Sequence, residues 1–103
     1  LDPADVAIDD SYIYWVNNGN NSMMRAARGS SAGTTETMIA AGGMSRPSEV
    51  AIDSAGGNAY VADFSTWYIY QVPLSASNYD STDLVGCQLV SVTAPTPLAL
   101  YVD

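Results

Sequence analysis

Short runs of apolar and aromatic residues alternate along the chain with clusters of Asn, Gly, Ser and Asp. The runs are rich in β-branched and aromatic side chains, which favour strands, whereas the clusters contain the residues that form tight turns. No stretch shows the 3.6-residue period of an amphipathic helix. The pattern therefore predicts an all-β chain of short strands.

The predicted strands form two groups of four. Residues 17–21, an Asn-Asn-Gly-Asn-Asn run, are the strongest turn signal, because Asn and Gly accept the positive φ angles of tight hairpins. Residues 64–67 take the place of that turn in the second group, and residues 29–35 and 75–83 are predicted loops. The predicted strands are residues 6–8, 12–16, 22–27, 36–41, 49–53, 59–63, 68–73 and 84–93.

One motif occurs twice, and its prolines are 44 residues apart while its tyrosines are 46 apart. The second copy therefore has two extra residues after its first strand, and a third copy opens at Pro95. Short-stranded units of this period are typical of propellers and related arrays, because one unit cannot bury its own apolar faces. We divide the chain into repeats at residues 1–46 and 47–94 and the first strand of a third, truncated repeat at 95–103. The repeated positions are Pro3 and Pro47, Val6 and Val50, Ala7 and Ala51, Ile8 and Ile52, Asp9 and Asp53, Tyr14 and Tyr60, and Asn17 and Asp63.

The repeated segments resemble known propeller repeats. Residues 13–17, Ile-Tyr-Trp-Val-Asn, resemble the Tyr-Trp-Thr-Asp motif of propellers related to the low-density-lipoprotein receptor, and residues 51–53 with 59–63 and Ile69 look like the NHL repeat. The resemblance implies four-stranded antiparallel blades in a ring of six. The copies depart from the motif at Val16-Asn17, where Thr-Asp is expected, and at Val61-Ala62, where Trp-Thr is expected. Two blades and part of a third make only a sector, so either a longer polypeptide or an oligomeric assembly would complete the ring.

The chain is acidic, with a net charge of -8, three arginines, no lysine and no histidine. Binding to phosphate requires clustered cations, so nucleic acid and anionic membrane surfaces are not expected partners. No run approaches the ~18 apolar residues of a membrane helix, so membrane insertion is not expected. The tandem pattern also resembles secreted and surface repeat proteins of bacteria, which implies an extracellular or cell-surface location.

Side chains for catalysis are sparse. Without histidine there is no Ser-His-Asp triad, and Cys87 without a histidine gives no activated thiol. We expect Cys87 to be a small buried hydrophobe, or else the partner of a cysteine outside this chain. The prediction is a non-catalytic structural or interaction module that needs no cofactor and binds protein, glycan or copies of itself. The alternative is a fragment of a calcium-dependent propeller hydrolase, lactonase-like or esterase-like, because propeller lactonases hold calcium with Glu, Asp and Asn.

Four polar residues recur where strands end: Asp9 and Asp53 after the first strand of each copy, and Asn17 and Asp63 after the second. Recurrence favours a structural role, because a ring needs the same turn hydrogen bonds in every unit. The alternative role is binding of a hard cation such as calcium through carboxylate and amide oxygens.

Two further surface features concern partners. Phe64 and Trp67 lie in a predicted turn with Tyr68 beside them, and such aromatic residues either contact a sugar, a peptide or another subunit, or fold back over the blade. Asn20 begins the Asn-Asn-Ser acceptor pattern for N-glycosylation, in a turn that should be exposed. Open strand edges offer a further route to self-association.

Overall fold

The computed structural model describes residues 3–31, 33–66 and 68–91 and confirms an all-β chain. Two four-stranded antiparallel sheets follow each other along the sequence, and in each the strand order is the chain order. The predicted first strand of a third repeat, at residues 95–103, lies outside the described residues. The elements are β1 Pro3–Ile8, β2 Tyr12–Asn17, β3 Ser22–Ala27, β4 Glu36–Ile39, β5 Pro47–Asp53, β6 Asn58–Asp63, β7 Tyr68–Pro73, α1 Ser81–Val85 and β8 Gln88–Ser91.

The first sheet (β1 to β4) and the second sheet (β5 to β8) have register irregularities at equivalent positions. A bulge interrupts the pairing of β1 with β2 between Pro3 and Asp5, and an equivalent bulge follows Pro47 in β5. A second pair of bulges separates Met23 from Met24 in β3 and the corresponding residues of β7. Because a bulge bends a strand at a defined residue, the repeat in sequence is also a repeat in backbone shape.

The connection before β8 differs from the prediction. Residues 84–93 were expected to form one strand, but Leu84 and Val85 belong to α1, and the expectation of no helix is also wrong. The Asp80 carboxylate accepts hydrogen bonds from the amides of Thr82 and Asp83 at 3.0 and 3.1 Å, and the Asp83 carboxylate accepts from the Asp80 amide at 3.0 Å. This reciprocal capping box starts a helical turn.

The loop before α1 is longer than its counterpart and folds onto the first sheet. Met23 pairs with Ile39, sixteen residues on, whereas Ile69 pairs with Val90, twenty-one residues on. In this loop the Tyr79 amide donates to the carbonyl of Met38 at 3.0 Å, and the Tyr79 carbonyl accepts from Ala40 at 2.8 Å. The last contact ends β4 at Ile39, two residues before the predicted end.

The core lies between the sheets. Directly paired residues of neighbouring strands point to the same side of a sheet, so the register defines a front and a back face for each sheet. Backbones of the two sheets approach most closely where β5 lies against β1 and β2. The back face of the first sheet, which includes Tyr14, Val16 and Met23, shares one buried cluster with the front face of the second. The front face of the first sheet consists of Val6, Ile8, Ile13, Trp15, Met24 and Ala26, and that of the second sheet of Val50, Ile52, Ala59, Val61, Tyr70 and Val72.

Among the described residues, no helix has the length and apolar character needed to cross a membrane.

Candidate functional site

Asp9 joins a turn of the first sheet to a turn of the second. One carboxylate oxygen accepts hydrogen bonds from the amides of Ser11 and Tyr12 at 2.8 and 2.7 Å. The other accepts from the hydroxyls of Tyr14 at 3.0 Å and Ser54 at 2.9 Å. Partial burial acts to raise the pKa of Asp9, but these four hydrogen bonds together lower it below the ordinary aspartate value. Asp9 is thus an ionised acceptor whose two oxygens are both engaged.

Asp53, the counterpart of Asp9, shapes the turn between β5 and β6. Its carboxylate accepts from the amide of Gly56 at 3.0 Å. A Cβ at Gly56 would collide with the same carboxylate, and the next residue, Gly57, has a φ of 74°, which favours glycine. The Asp53 side chain therefore has a turn-forming role.

Asp63 is fully buried at the end of β6 and organises the entry into the second sheet. Its carboxylate accepts from four backbone amides at 2.8 to 3.1 Å. Two of these amides, from Ser45 and Arg46, precede β5, and two, from Ser65 and Thr66, lie in the turn after β6. Several N–H donors compensate the burial of a charged carboxylate, so this site is complete without a ligand.

Asn17 and Asn20 belong to one hydrogen-bonded group in the turn between β2 and β3. The Asn17 amide group donates to the Ser22 hydroxyl at 3.1 Å, and that hydroxyl donates to the Asn20 side-chain oxygen at 2.7 Å. Asn21 has a φ of 58°, which confirms the predicted turn conformation. The glycosylation pattern at Asn20 therefore includes a serine that is buried and already hydrogen-bonded.

The four predicted cation ligands are not brought together. Asp9 and Asp53 lie in the turns that follow β1 and β5, whereas Asn17 and Asp63 lie at the opposite ends of the sheets, where they pair with the prolines that begin those strands. Within residues 3–31, 33–66 and 68–91 there is no group of three or more His, Cys, Asp or Glu residues that could hold a metal ion.

The predicted aromatic contact residues pack within the chain where they are described. Phe64 lies under the Arg46 guanidinium, 4.6 Å from the ring centroid, and its amide donates to the Arg46 carbonyl at 2.8 Å. Tyr68 packs against Tyr70 with ring centroids 6.0 Å apart. Trp67 lies outside the described residues.

The two copies differ in the exposure of their front faces. Val6 is 61% exposed, whereas its counterpart Val50 is 3% exposed. Ile8 is 59% exposed, and Trp15 is partly exposed, whereas its counterpart Val61 is completely buried. None of the six apolar front-face residues of the first sheet is buried, because among the described residues no sheet covers them.

A shallow pocket of about 490 Å³ lies on this open face, lined by Pro3, Ala4, Asp5, Val6 and Trp15. The sequence prediction placed the partner contacts elsewhere, at Phe64, Trp67 and Tyr68. No signal in the sequence marks this difference, because Val6 and Val50 are the same residue at the same position of the motif, and only the structure shows that Val50 is covered.

Polar contacts accompany the packing of the back face of the first sheet on the second sheet. Asp5 in β1 accepts from the Val50 amide at 2.9 Å. Arg25 donates to the Leu74 carbonyl at 2.7 Å and forms an ion pair with Glu36 at 2.9 Å. A groove of about 470 Å³ opens between Arg25 and Asp9, where the two sheets meet.

Glu49 and Cys87 are two groups with a raised pKa. Burial and the neighbouring Asp5 carboxylate raise the pKa of Glu49, which occupies the position of Asp5 in the second copy. Burial raises the pKa of the Cys87 thiol, with a further contribution from Asp83, so this thiol is not activated for nucleophilic chemistry.

Comparison with protein-family models, with curated proteins and with solved structures found no match for this chain.

Proposed function

We propose that this chain is a non-catalytic structural or interaction module built from propeller-type units that stack front to back. The observation that carries this proposal is the burial of Val50, Ala59, Val61 and Val72 by the first sheet, at positions that are open in the first sheet itself. Units of this kind stabilise one another mainly through nearest-neighbour interfaces. The function is therefore recognition by surface contact, with protein, glycan or a further unit as partner.

The contacts between the sheets support the propeller arrangement within this proposal. The sheets approach most closely at their first strands, as blades do around a central axis, and the loop that carries Tyr79 fills the space beside β4.

The carboxylates of Asp9, Asp53 and Asp63 are engaged in turn hydrogen bonds, which favours a binding function over a hydrolytic one. An extracellular or cell-surface location belongs to the same proposal.

Insertion of a second copy of residues 47–94 after residue 94 tests whether the units stack. If the units stack, the longer chain should unfold in one transition at higher temperature, because each added unit contributes a new interface. A Gly/Ser segment of equal length at the same place is the control. Separate transitions, or a melting temperature equal to that of the control, would contradict the proposal.

An assay for hydrolytic activity provides a second test of the proposed function. We expect no hydrolysis of lactone or ester substrates by the native chain, with or without added calcium. Calcium-dependent hydrolysis that chelation abolishes would support the hydrolase alternative instead.

A further inference from the structure

We propose that the front face of the first sheet is a docking surface for a second copy of this chain, which presents the back face of its second sheet. This inference rests on the proposed stacking of units and goes further by naming the occupant. The resulting contact is heterologous, because one copy contributes its first sheet and the other its second sheet.

The interface inside the chain provides the template. The first sheet covers Val50 and Val61 in the second sheet, and the same two positions of the first sheet hold Val6 and Trp15, which remain accessible. Paired strands place Val6 opposite Trp15 and Ile8 opposite Ile13, so these four side chains form one continuous apolar surface. Such a surface favours burial against a face of matching shape.

The second sheet carries the side chains that such a contact requires. On the back face of the first sheet, Tyr14 and Met23 pack towards the second sheet. Their counterparts on the second sheet are Tyr60 and Ile69, and both remain partly exposed. A second copy can therefore offer a tyrosine and an aliphatic residue to the front face at the positions that the internal interface uses.

One polar position opposes this association. Inside the chain, the Asp9 carboxylate accepts from the Ser54 hydroxyl at 2.9 Å. Between copies, the corresponding residues are Asp53 of one copy and Asp10 of the other, so two carboxylates meet where a carboxylate and a hydroxyl meet internally. Like charges in an interface select against a partner, so the native chain should associate weakly.

Substitution of Asp10 by serine tests the proposal, because Asp10→Ser supplies the hydroxyl that Ser54 supplies internally. We expect sedimentation velocity to show a self-association constant about tenfold tighter for D10S than for the native chain, the effect of one hydrogen bond to a charged group. Adding Asp53→Ala to D10S should reverse most of that gain, since it removes the acceptor.

A second substitution examines the apolar surface. Val6→Asp in the D10S background should abolish association, because it places a charge at the centre of the contact. Val85→Asp is the matched control, since Val85 is also an exposed valine, 65% accessible, and lies on α1 outside the strands of the first sheet. Circular dichroism verifies that each variant is folded.

Two results would overturn the inference. One is a D10S chain that stays monomeric at the highest concentration reached, and the other is an association that V6D leaves unchanged. If D10S is monomeric while the chain with duplicated residues 47–94 is stabilised, stacking within a polypeptide stands and only the second copy as occupant fails.

Discussion

The Asp9 carboxylate accepts a hydrogen bond from the Ser54 hydroxyl at 2.9 Å, across a sequence separation of 45 residues. The same oxygen accepts from the Tyr14 hydroxyl at 3.0 Å. One aspartate thus connects the turn after β1, the first tyrosine of the repeat and the turn after β5. This makes a residue of the repeated motif part of the contact between units.

Ser54→Ala should lower the free energy of unfolding by about 1 kcal/mol, because it removes one exposed hydrogen bond to a carboxylate. Urea denaturation measures the change. Ser11→Ala is the matched control, since Ser11 lies in the turn next to Asp9 and uses its backbone amide for that contact. Equal stability of the two variants would show that the bond between the turns contributes nothing measurable.

The raised pKa of Tyr14 predicts that the folded state loses stability at alkaline pH. Burial, with the Asp9 carboxylate as the next cause, raises the pKa of Tyr14 to about 12 from an ordinary value of 10.0. The folded state therefore favours the neutral phenol, and this contribution to stability is fully present below pH 10 and is lost as the pH rises towards about 12.

Tyrosinate absorbance and circular dichroism, followed together during an alkaline titration, check this expectation. Tyr14 and Tyr70 should both ionise late and together with unfolding, because the pKa of each is raised, and Tyr14→Phe should remove one of these two coupled ionisations. Tyr70, whose pKa burial also raises, remains in the variant as an internal reference. Early, independent ionisation of every tyrosine would contradict the prediction.

Asp63→Ala should lower the free energy of unfolding by about 3 kcal/mol or more. It leaves four partly buried amides without their acceptor. Asp63→Asn should cost less, because a carboxamide oxygen retains part of the acceptor role and the first copy has Asn17 at this position. Thermal unfolding shows which of the two variants loses more stability. Equal losses would argue against the role of the Asp63 side chain as a hydrogen-bond acceptor.

Calcium should not stabilise the chain. The oxygens of Asp9 and Asp63 already accept hydrogen bonds, and these residues lie at opposite ends of the sheets. A cation site with added calcium a hundredfold above its Kd would raise the free energy of unfolding by about 2.7 kcal/mol, a clear shift in Tm. Melting curves in calcium and in chelator should therefore superimpose, and a shift of several degrees would support the calcium-dependent alternative.

Local signals in the sequence predicted most of the strands. The Asn-rich turn before Ser22 and the glycine at position 57 indicate backbone angles that few other residues accept. The helix α1 was missed although Asp80 and Asp83 have the spacing of a capping box, because a single turn shows no helical period. The partner of Asp9 in the next unit could not be predicted, since a distant hydroxyl leaves no local signature.

The sequence by itself determined the repeat, the strands and the turns, because alternation of side chains and the φ preferences of Asn and Gly act within a few residues. Only the tertiary structure decided which copy of each position is covered. Val6 and Val50 occupy the same place in the same motif, yet one is 61% exposed and the other 3%. Burial depends on the sheet that lies opposite, and the first sheet lies opposite Val50 while no described residue covers Val6.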